Sequence, residues 1–372
     1  MKVKIVISEP SEVIDPLVTE LAACIQMSKR VLVITGAGIS CNGGIPDFRS
    51  SDGLYNLVKK KHPDIILKGK DLFDATLFKS KEQTQCFYTF MAELKKTIDA
   101  AMPTPTHSFI HGLQESGQLM RCYTQNIDCL EDSLKLSVVR LHGSMDKVKC
   151  TLCPASYEFT VDYEDQFRRG DPPVCPQCEM NDSERVRLGK RQLTLGTLRP
   201  NIVLYNEDHP DSEEIGKVQT ADLKRKPDLL IVMGTSLKIP ALKKFIKQAA
   251  RLIHTNKSGK VVFVNRTAPT KEWDSVFDYE VLGDTDDWVR MTQTKFEDES
   301  TMKAAKTRLR RALAAANQDE SAPKKSNAKK KTVKKPSQPQ KKNSKRSHSQ
   351  LTLTETFVTR KRPSTRSACK SV

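Results

Sequence analysis

The sequence predicts an α/β protein with a doubly wound parallel sheet, a small inserted module held by a metal ion, and a basic C-terminal tail. Three features support this prediction. Apolar strand-like runs alternate with helical patterns, glycines directly follow the first strand, and four cysteines stand in two close pairs within a polar, proline-containing stretch. At 372 residues the chain is long enough to bury a large core and to hold more than one structural unit.

The order of the elements follows from the spacing of the apolar residues. Residues 10–29 have a helical period and lead into a β-branched run at 31–35, which predicts a buried strand. Residues 51–106 are expected to be mostly helical, and a proline and a glycine bound a further helix within 104–117. The alternation continues with predicted strands at 121–127, 227–234 and 260–265 and an amphipathic helix at 241–254. Such alternation is typical of a Rossmann-like sheet.

A glycine-rich loop follows the first predicted strand. Gly36 and Gly38 come directly after the strand, and Gly43 and Gly44 follow within a few residues. Glycines at this place let the backbone approach a phosphate, so the loop is expected to bind the pyrophosphate of a dinucleotide. The dehydrogenase fingerprint G-x-G-x-x-G is not met, because Cys41 replaces a small residue and no acidic residue ends a second strand. The sequence therefore predicts nucleotide binding of another kind.

Two cysteine pairs have the spacing of a metal site. Cys150 and Cys153 form the first pair, and Cys175 and Cys178 form the second. Two C-x-x-C turns offer four thiolates, which Zn²⁺ binds tetrahedrally with no open position. We therefore expect one structural zinc ion that folds a polar module of about residues 145–190. The N-terminus lacks a secretory signal pattern, so the protein is expected to be intracellular and its other cysteines reduced.

Polar motifs follow several of the strand-like runs, at the edge where α/β sheets place their ligands. Gln125, Asn126 and Asp128 offer amide and carboxylate groups that suit ribose hydroxyls and a carboxamide. His142 stands in the motif LHG, where an imidazole is either a satisfied core residue or a catalytic base. Two weaker signals follow later strands. GTS at 234–236 is expected to bind a phosphate or a ribose, and NRT at 265–267 is expected to bind an adenosine ribose.

The positive charge is concentrated at the C-terminus. The chain has a net charge of +17, yet residues 317–372 hold 16 basic and 3 acidic residues, and residues 301–316 hold 5 basic and no acidic ones. The first 300 residues are therefore close to neutral, which favours a tethering or nuclear-targeting role for the basic part. We predict a basic helix at 301–316 and disorder over 317–372, where aromatic residues are almost absent. No stretch is apolar enough to span a membrane.

Taken together, the motifs resemble those of the sirtuin family. GAGIS, GIPDFR, TQNID, LHG, the four cysteines, GTSL and VN occur in the family's order across about residues 30–290. GTSLK before a lysine-rich helix, and the string RPNIVLYNEDHP, most resemble the fungal nuclear histone-deacetylase branch. The resemblance implies a deacetylase domain over residues 1–300 that consumes NAD as co-substrate, transfers the acetyl group of a lysine to ADP-ribose and releases nicotinamide.

The resemblance also implies a role for each matching residue. His142 would be the general base on a ribose hydroxyl and, with Asn126, would carry catalysis. Ile45, Asn126 and Asp128 would form the nicotinamide pocket. The residues implied to bind NAD are Gly36, Ala37, Ile45, Asp47, Phe48, Arg49, Tyr55, Gln125, Asn126, Asp128, Gly234, Thr235, Ser236, Asn265 and Thr285.

Two departures from the family pattern concern the substrate side. Family members usually have glycine where Asn206 follows Tyr205, and Pro240 follows Ile239 one residue sooner than is common. Asn tolerates a positive φ better than other non-glycine residues, so the turn is expected to survive. Both segments resemble the strands between which the acyl-lysine peptide inserts.

Other interpretations remain open. One is a non-enzymatic zinc module that the tail tethers to chromatin, against which the set of His142, Asn126 and Asp128 argues. Another is removal of a different acyl group, or ADP-ribosyl transfer. The branch that removes acidic acyl groups uses a Tyr/Arg pair, and residues 50–80 contain Tyr55 but no arginine, which disfavours that specificity.

The tail and the resemblance together predict a nuclear protein that acts on an acetylated histone or another acyl-lysine protein. Lysine clusters at 324–335 and 341–346 are expected to serve nuclear import or to contact DNA phosphates. The segment QLTLTETF at 350–357 resembles the short motif that docks on the DNA sliding clamp, although Thr356 replaces its first aromatic residue. A stray apolar patch in a linker is the alternative for this segment.

Overall fold

A parallel seven-stranded sheet forms the centre of the computed structural model, which describes residues 2–48, 53–54, 56, 60 and 69–319. In spatial order its strands are β1 (Val3–Val6), β10 (Tyr279–Leu282), β9 (Lys260–Asn265), β8 (Leu229–Met233), β2 (Val31–Thr35), β3 (Leu119–Thr124) and β4 (Val138–Arg140). Every neighbouring pair runs parallel. The chain winds outward from β2 in one direction and from β8 in the other, so the switch point lies between them. The predicted doubly wound α/β class is confirmed.

The described residues form ten α-helices, some of which cover the two faces of this sheet while others share the core of the cysteine-bearing part. They are α1 (Ser11–Met27), α2 (Lys81–Asp99), α3 (Pro105–Glu115), α4 (Leu130–Ser133), α5 (Val161–Arg168), α6 (Pro176–Arg187), α7 (Ser212–Lys224), α8 (Pro240–Ile253), α9 (Thr285–Glu297) and α10 (Glu299–Asp319). Strand side chains alternate between the faces. Val31 and Val33 of β2 therefore pack with α1, α3 and α9, whereas Leu32 and Ile34 pack with α8.

A second, antiparallel sheet of three strands carries the cysteines. Its strands are β5 (Gly143–Cys150), β6 (Ser156–Glu158) and β7 (Leu198–Ile202), with β5 in the middle. Helix α2 packs against this sheet and against α5, and their side chains share one apolar core. The hydroxyl group of Tyr88 on α2 donates to the carbonyl oxygen of Leu198 at 3.0 Å, which fixes the helix on the sheet.

The predicted strands at 31–35, 227–234 and 260–265 are present, whereas the one predicted at 121–127 is observed at Leu119–Thr124. The edge strand Val3–Val6 and its neighbour Tyr279–Leu282 were not predicted, and agreement is weaker before α2. Between residues 51 and 106 the described helical residues include 3₁₀ turns at Gly69–Phe73 and Ala75–Lys79 before α2. The chain leaves α2 at Asp99 because Pro103 and the cap of the next helix follow. No helix among the described residues is long and apolar enough to cross a membrane. Residues 320–372, with the predicted lysine clusters and clamp motif, lie outside the described residues.

Candidate active site

A cleft of 880 Å³ opens at the carboxyl ends of the parallel strands, beside the switch point between β2 and β8. Its volume is in the range of pockets that hold cofactor-sized ligands. The loops that follow β2, β3, β4, β7, β8 and β9 all contribute to its wall. The predicted residues on that wall are Gly36, Ala37, Asp47, Phe48, Gln125, His142, Gly234, Thr235, Ser236, Asn265 and Thr285.

Two glycine loops meet backbone to backbone at the floor of the cleft. A Cβ atom on Gly36 would lie 2.7 Å from the carbonyl oxygen of Gly234, and one on Gly38 would lie 2.8 Å from the Cα atom of Gly234. Gly234 itself has a φ of +62°, a conformation that favours glycine. The loops therefore tolerate no side chain at these positions, and the floor stays low enough for a dinucleotide to approach the backbone.

Gln125 joins three strand ends across this floor. Its side-chain Nε2 atom donates to the carbonyl oxygen of Thr35 at 3.0 Å and to the hydroxyl group of Thr235 at 2.9 Å. These partners follow from the positions of β3, β2 and β8 as neighbours in the sheet. The amide group is thereby held in one orientation at the cleft wall.

Asn126, Asp128 and Ile45 are buried beside the cleft, and none is among the residues on its wall. Ser40 connects all three: its hydroxyl group donates to Asp128 at 2.8 Å and accepts from the Asn126 amide at 3.0 Å, and its carbonyl oxygen accepts the N–H of Ile45 at 3.3 Å. Burial raises the pKa of Asp128, and the hydrogen bond from Ser40 opposes that shift. The buried Oδ1 atom of Asn126 has no hydrogen-bond partner among the described residues, so this polar recess retains an unused acceptor.

The ring of His142 is oriented by the backbone. Its Nδ1 atom lies 2.9 Å from the carbonyl oxygen of Gln125, and because a carbonyl only accepts, Nδ1 carries the proton of the neutral ring. The basic nitrogen is therefore Nε2. The carbonyl oxygen of His142 accepts the N–H of Val203 at 2.9 Å, which ties the residue to the segment that follows β7. Gly143 comes next at a φ of +76°, and a Cβ there would lie 2.1 Å from the carbonyl oxygen of Asn201.

A polar cluster closes the far end of the cleft. Asn42, in the loop after β2, donates to Asp284 at 2.9 Å and to Asp286 at 2.8 Å, and it accepts from Arg266 at 3.2 Å. Arg266 in turn donates to Asp284 through Nη2 at 2.5 Å, and that hydrogen bond raises the pKa of the guanidinium. Arg266 and the predicted Thr285 both lie on the cleft wall. The cluster fastens the loop after β2 to the segments that follow β9 and β10.

The segment after β7 forms the opposite wall. Asn206 has a φ of +60°, so the turn expected at this asparagine is present, and its side chain donates to Asp74 at 2.6 Å. Glu207 is held by Arg199 and by Lys149, the latter at 3.3 Å. Burial opposes ionisation of Glu207, but the hydrogen bond and charge of Arg199 outweigh it and lower its pKa.

The four cysteines converge as predicted. The Sγ atoms of Cys150 and Cys178 are 3.7 Å apart, and those of Cys153 and Cys175 are 3.6 Å apart. These distances are far too long for disulfides. Four sulfurs at about 2.3 Å from one zinc ion would be about 3.8 Å from each other, so the donor set fits a tetrahedral Zn²⁺. Gly196 passes so close that a Cβ there would lie 2.4 Å from Sγ of Cys150.

Several features of the site have no clear signal in the sequence. Ser40, Asn42 and Asp284 bind partners that are distant along the chain. The one sequence signal for Ser40 and Asn42 is their position in the glycine-rich loop. Cys41, which breaks the dehydrogenase pattern, lies on the cleft wall. The predicted contacts of Arg49 and Tyr55 stay predictions, because both residues lie outside the described part of the chain.

The fold and the site define a dinucleotide-binding α/β protein with an inserted tetracysteine module. More particularly, the chain belongs to the Sir2 family, whose sequence model matches residues 36–241.

Among curated proteins, the chain is 43% identical over 303 residues to the NAD-dependent histone deacetylase HST3 of Candida albicans, covering 75% of this chain and 62% of that protein. It is 40% identical to HST3 of Saccharomyces cerevisiae, covering 76% and 69% of the two chains. It is also 40% identical to the NAD-dependent protein deacetylase hst4 of Schizosaccharomyces pombe, covering 71% and 66%. The chain thus spans about two thirds of the length of these relatives.

Solved structures of the family share the fold. A Sir2 protein in complex with a deacetylated p53 peptide and 3'-O-acetyl ADP-ribose superposes with a TM-score of 0.59 at 25% identity, covering 74% of this chain and 97% of that one. A second Sir2 enzyme superposes with a TM-score of 0.55 at 27% identity, covering 75% and 96%.

Proposed function

We propose that this protein is an NAD-dependent protein-lysine deacetylase that acts on acetylated histones in the nucleus. The observation that carries the proposal is a single cleft in which two glycine loops lie beside a histidine whose basic nitrogen is Nε2. Three relatives at 40–43% identity are named NAD-dependent histone or protein deacetylases, which supports both the cofactor and the reaction.

NAD would lie across the floor of the cleft. Gly36, Ala37, Gly234, Thr235 and Ser236 would hold its phosphates and the nearby ribose, because their loops tolerate close approach of a ligand to the backbone. The adenosine end would lie against the wall that contains Asn265 and Thr285. The nicotinamide would enter the recess of Ile45, Asn126 and Asp128, where a buried acceptor suits a carboxamide N–H. When bound, NAD supplies a ribose carbon from which nicotinamide can leave.

His142 would receive a proton on its Nε2 atom from a ribose hydroxyl group. The hydrogen bond between Nδ1 and the Gln125 carbonyl stabilises the imidazolium that results, because both ring nitrogens then donate. Gln125 would orient the same ribose, since its amide is fixed between Thr35 and Thr235.

The acyl-lysine would enter between the segment after β7 and the segment before α8. Apolar side chains line the wall there, including Ile202, Leu204 and Ile239, and a neutral acetyl-lysine tolerates such surroundings where a charged lysine would lose its hydration. Val203, whose N–H is bonded to the carbonyl oxygen of His142, lies on the segment along which the peptide would add as a β-strand, next to the catalytic ring.

The C-terminal residues would determine where the enzyme acts. We assign nuclear import to the lysine clusters at 324–335 and 341–346, and weak docking on the sliding clamp to 350–357. Titration of a peptide of residues 345–363 into purified clamp tests the second assignment, and no saturable signal at high micromolar concentration would reject it.

Nicotinamide release from NAD in the presence of acetylated histone peptides tests the proposed reaction. Release should require both NAD and the acetyl group and should yield an acetylated ADP-ribose. His142→Ala should abolish it, whereas His111→Ala, a histidine on α3 outside the cleft wall, should retain it. Transfer of labelled ADP-ribose to protein without deacetylation would identify the enzyme as a transferase instead, and no NAD consumption would support a non-enzymatic module.

A further inference from the structure

The C-terminal helix α10 is anchored on the domain. Met302 and Ala305 are buried against Ala22 and Ala23 of α1. The helix also contacts α9, so one of its faces is fixed on the protein and the opposite face is directed to solvent. The exposed face therefore has a defined orientation, unlike a free charged segment.

Three basic side chains form a stripe on that exposed face. Lys303, Arg308 and Arg311 line a shallow depression around the small residues Ala304 and Thr307. We call these three residues the basic stripe.

The charges of the basic stripe are not compensated. None of its three side chains makes an ion pair with a described residue, and residues 301–316 contain no acidic residue. By contrast, two exposed arginines on other helices are paired: Arg168 with Glu164, and Arg187 with Glu184 at 2.8 Å. The stripe thus keeps its full positive charge for a partner.

We infer that the basic stripe binds the phosphate backbone of double-stranded DNA. From Lys303 to Arg311 the helix rises about 12 Å, which matches about three to four base-pair steps. The other residues that line the depression, Ser300, Ala304 and Thr307, are small, so it lacks the large apolar anchor that a protein interface usually needs. Phosphate contacts need charge and no pocket, and they do not depend on base sequence.

The position of the stripe adds to this inference. Helix α10 leads directly into residues 320–372, which contain 16 of the basic residues. Two linked cationic segments bind one polyanion more tightly than either alone, since binding of the first raises the effective concentration of the second. The stripe would therefore set the orientation of the domain on DNA, and the basic residues that follow it would add to the affinity.

Binding of the full chain to a fluorescent random-sequence DNA duplex tests the inference, measured by anisotropy over a range of salt concentrations. The triple variant Lys303→Gln, Arg308→Gln, Arg311→Gln should bind about tenfold more weakly. The slope of its log K against log salt concentration should be less steep, by the amount expected for the loss of about two to three phosphate contacts. The matched control is Lys224→Gln, Arg225→Gln, Lys226→Gln, which removes equal charge from an exposed turn after α7. It should bind within about twofold of wild type.

Three outcomes would overturn the inference. Equal losses in both triple variants would mean that only net charge matters. An unchanged affinity and salt slope in the stripe variant would exclude a contact with DNA. Unchanged duplex binding with lost binding to poly-glutamate would assign the surface to an acidic protein. NAD-dependent activity on a short peptide, which should be equal in all three proteins, verifies that the variants are folded.

Discussion

At the scale of single residues, backbone carbonyl groups determine the chemistry of the cleft. The carbonyl oxygen of Gln125 selects the tautomer of His142, and the carbonyl of His142 is itself bonded to Val203. One main-chain carbonyl thus orients the ring, and a second hydrogen bond ties the backbone of the same residue to the segment after β7. Ser40 has the corresponding role in the recess, where it connects Asn126 with Asp128.

Replacement of His142 by alanine should reduce turnover by about 10²–10⁴-fold, the usual cost of losing a general base. The fold and NAD binding should persist, because the contacts of this residue to Gln125 and Val203 are at the edge of the sheet. Single-turnover rates and calorimetric NAD binding measure the two effects separately. Turnover within threefold of wild type would remove His142 from the catalytic role.

Replacement of Asn42 by serine should raise the KM for NAD about fivefold, equivalent to ~1 kcal/mol for an exposed hydrogen-bonded cluster. Serine is too short to reach Asp284, Asp286 and Arg266 together, so the loop after β2 would lose its attachment. The KM for peptide should not change. Asn181→Ser, on the exposed face of α6, is the matched control, and an equal effect there would contradict the attachment.

The identity of the site residues could be predicted to different degrees. The glycines and His142 lie next to strand ends, so local sequence already places them at the same edge of the sheet. Asn42 and Arg266 could not be predicted to interact, because they are separated by 224 positions and exposed polar residues resemble one another in sequence. Long-range pairing of this kind depends on tertiary packing, which periodicity does not report.

At the scale of secondary-structure elements, the three-stranded sheet connects the cysteine cluster to the cleft. Strand β5 starts directly after His142 and ends at Cys150, and β7 runs beside it towards the cleft wall. The sequence predicted the metal ligands but no sheet here, since β5 and β7 are separated by the whole cysteine-bearing stretch. The C-x-x-C spacing is a local signal, whereas the pairing of these strands is not.

Replacement of Gly196 by alanine should weaken zinc binding by at least about tenfold. The added Cβ would lie 2.4 Å from Sγ of Cys150 and 3.2 Å from Sγ of Cys178, so a sulfur must move out of tetrahedral geometry. Competition with a chromophoric chelator measures the affinity. Gly216→Ala is the control, because no atom lies within 4 Å of a Cβ there, and unchanged affinity in both variants would contradict the geometry.

The start of helix α3 should make stability depend on pH. His107 is fully buried and its Nδ1 atom accepts the N–H of Thr104 at 3.1 Å, and burial lowers the pKa of His107 to about 4. The unfolded chain, with a pKa near 6.5, therefore binds a proton that the folded protein does not. The stability that results is present above about pH 6.5 and is lost as the pH falls towards 4.

His107→Gln should remove this dependence while keeping an acceptor for the helix cap. Between pH 7.5 and pH 5 the wild type should lose about 2 kcal/mol more unfolding free energy than the variant, from 1.36 kcal/mol per pKa unit. Urea unfolding at several pH values measures it. Parallel pH profiles for the two proteins would mean that His107 does not contribute.

At the scale of the whole molecule, the net positive charge is concentrated along the chain after residue 300, and the preceding residues are nearly neutral. The doubly wound sheet could be predicted because strands such as β2 and β8 are continuous apolar runs with both faces buried. The anchoring of α10 on α1 could not, since its apolar contacts are only Met302, Ala305 and the partly buried Leu309. Three apolar residues on one side of a charged helix are too few to predict from the sequence that the helix packs on the domain.

Truncation after Asn317 should leave deacetylation of a short peptide within twofold of wild type but should abolish nuclear accumulation. Among the residues that the structure describes, the cleft wall and the cysteine cluster include none beyond Thr285, so we expect chemistry on a short peptide not to require the tail. Fluorescence microscopy of the tagged full-length and truncated chains measures location. A truncated protein that still accumulates in the nucleus would exclude import through these residues.

The pairing of β5 with β7 has a consequence for how the gene can change. Gly143 faces Ile202 at the cleft end of these strands, and Cys150 faces Leu198 at the other end. The two ends of the segment between β5 and β7 are thus neighbours in the three-stranded sheet. Insertions and deletions in the loops of that segment can accumulate without displacing either flank, provided that the cysteines, Gly143 and Gly196 are kept.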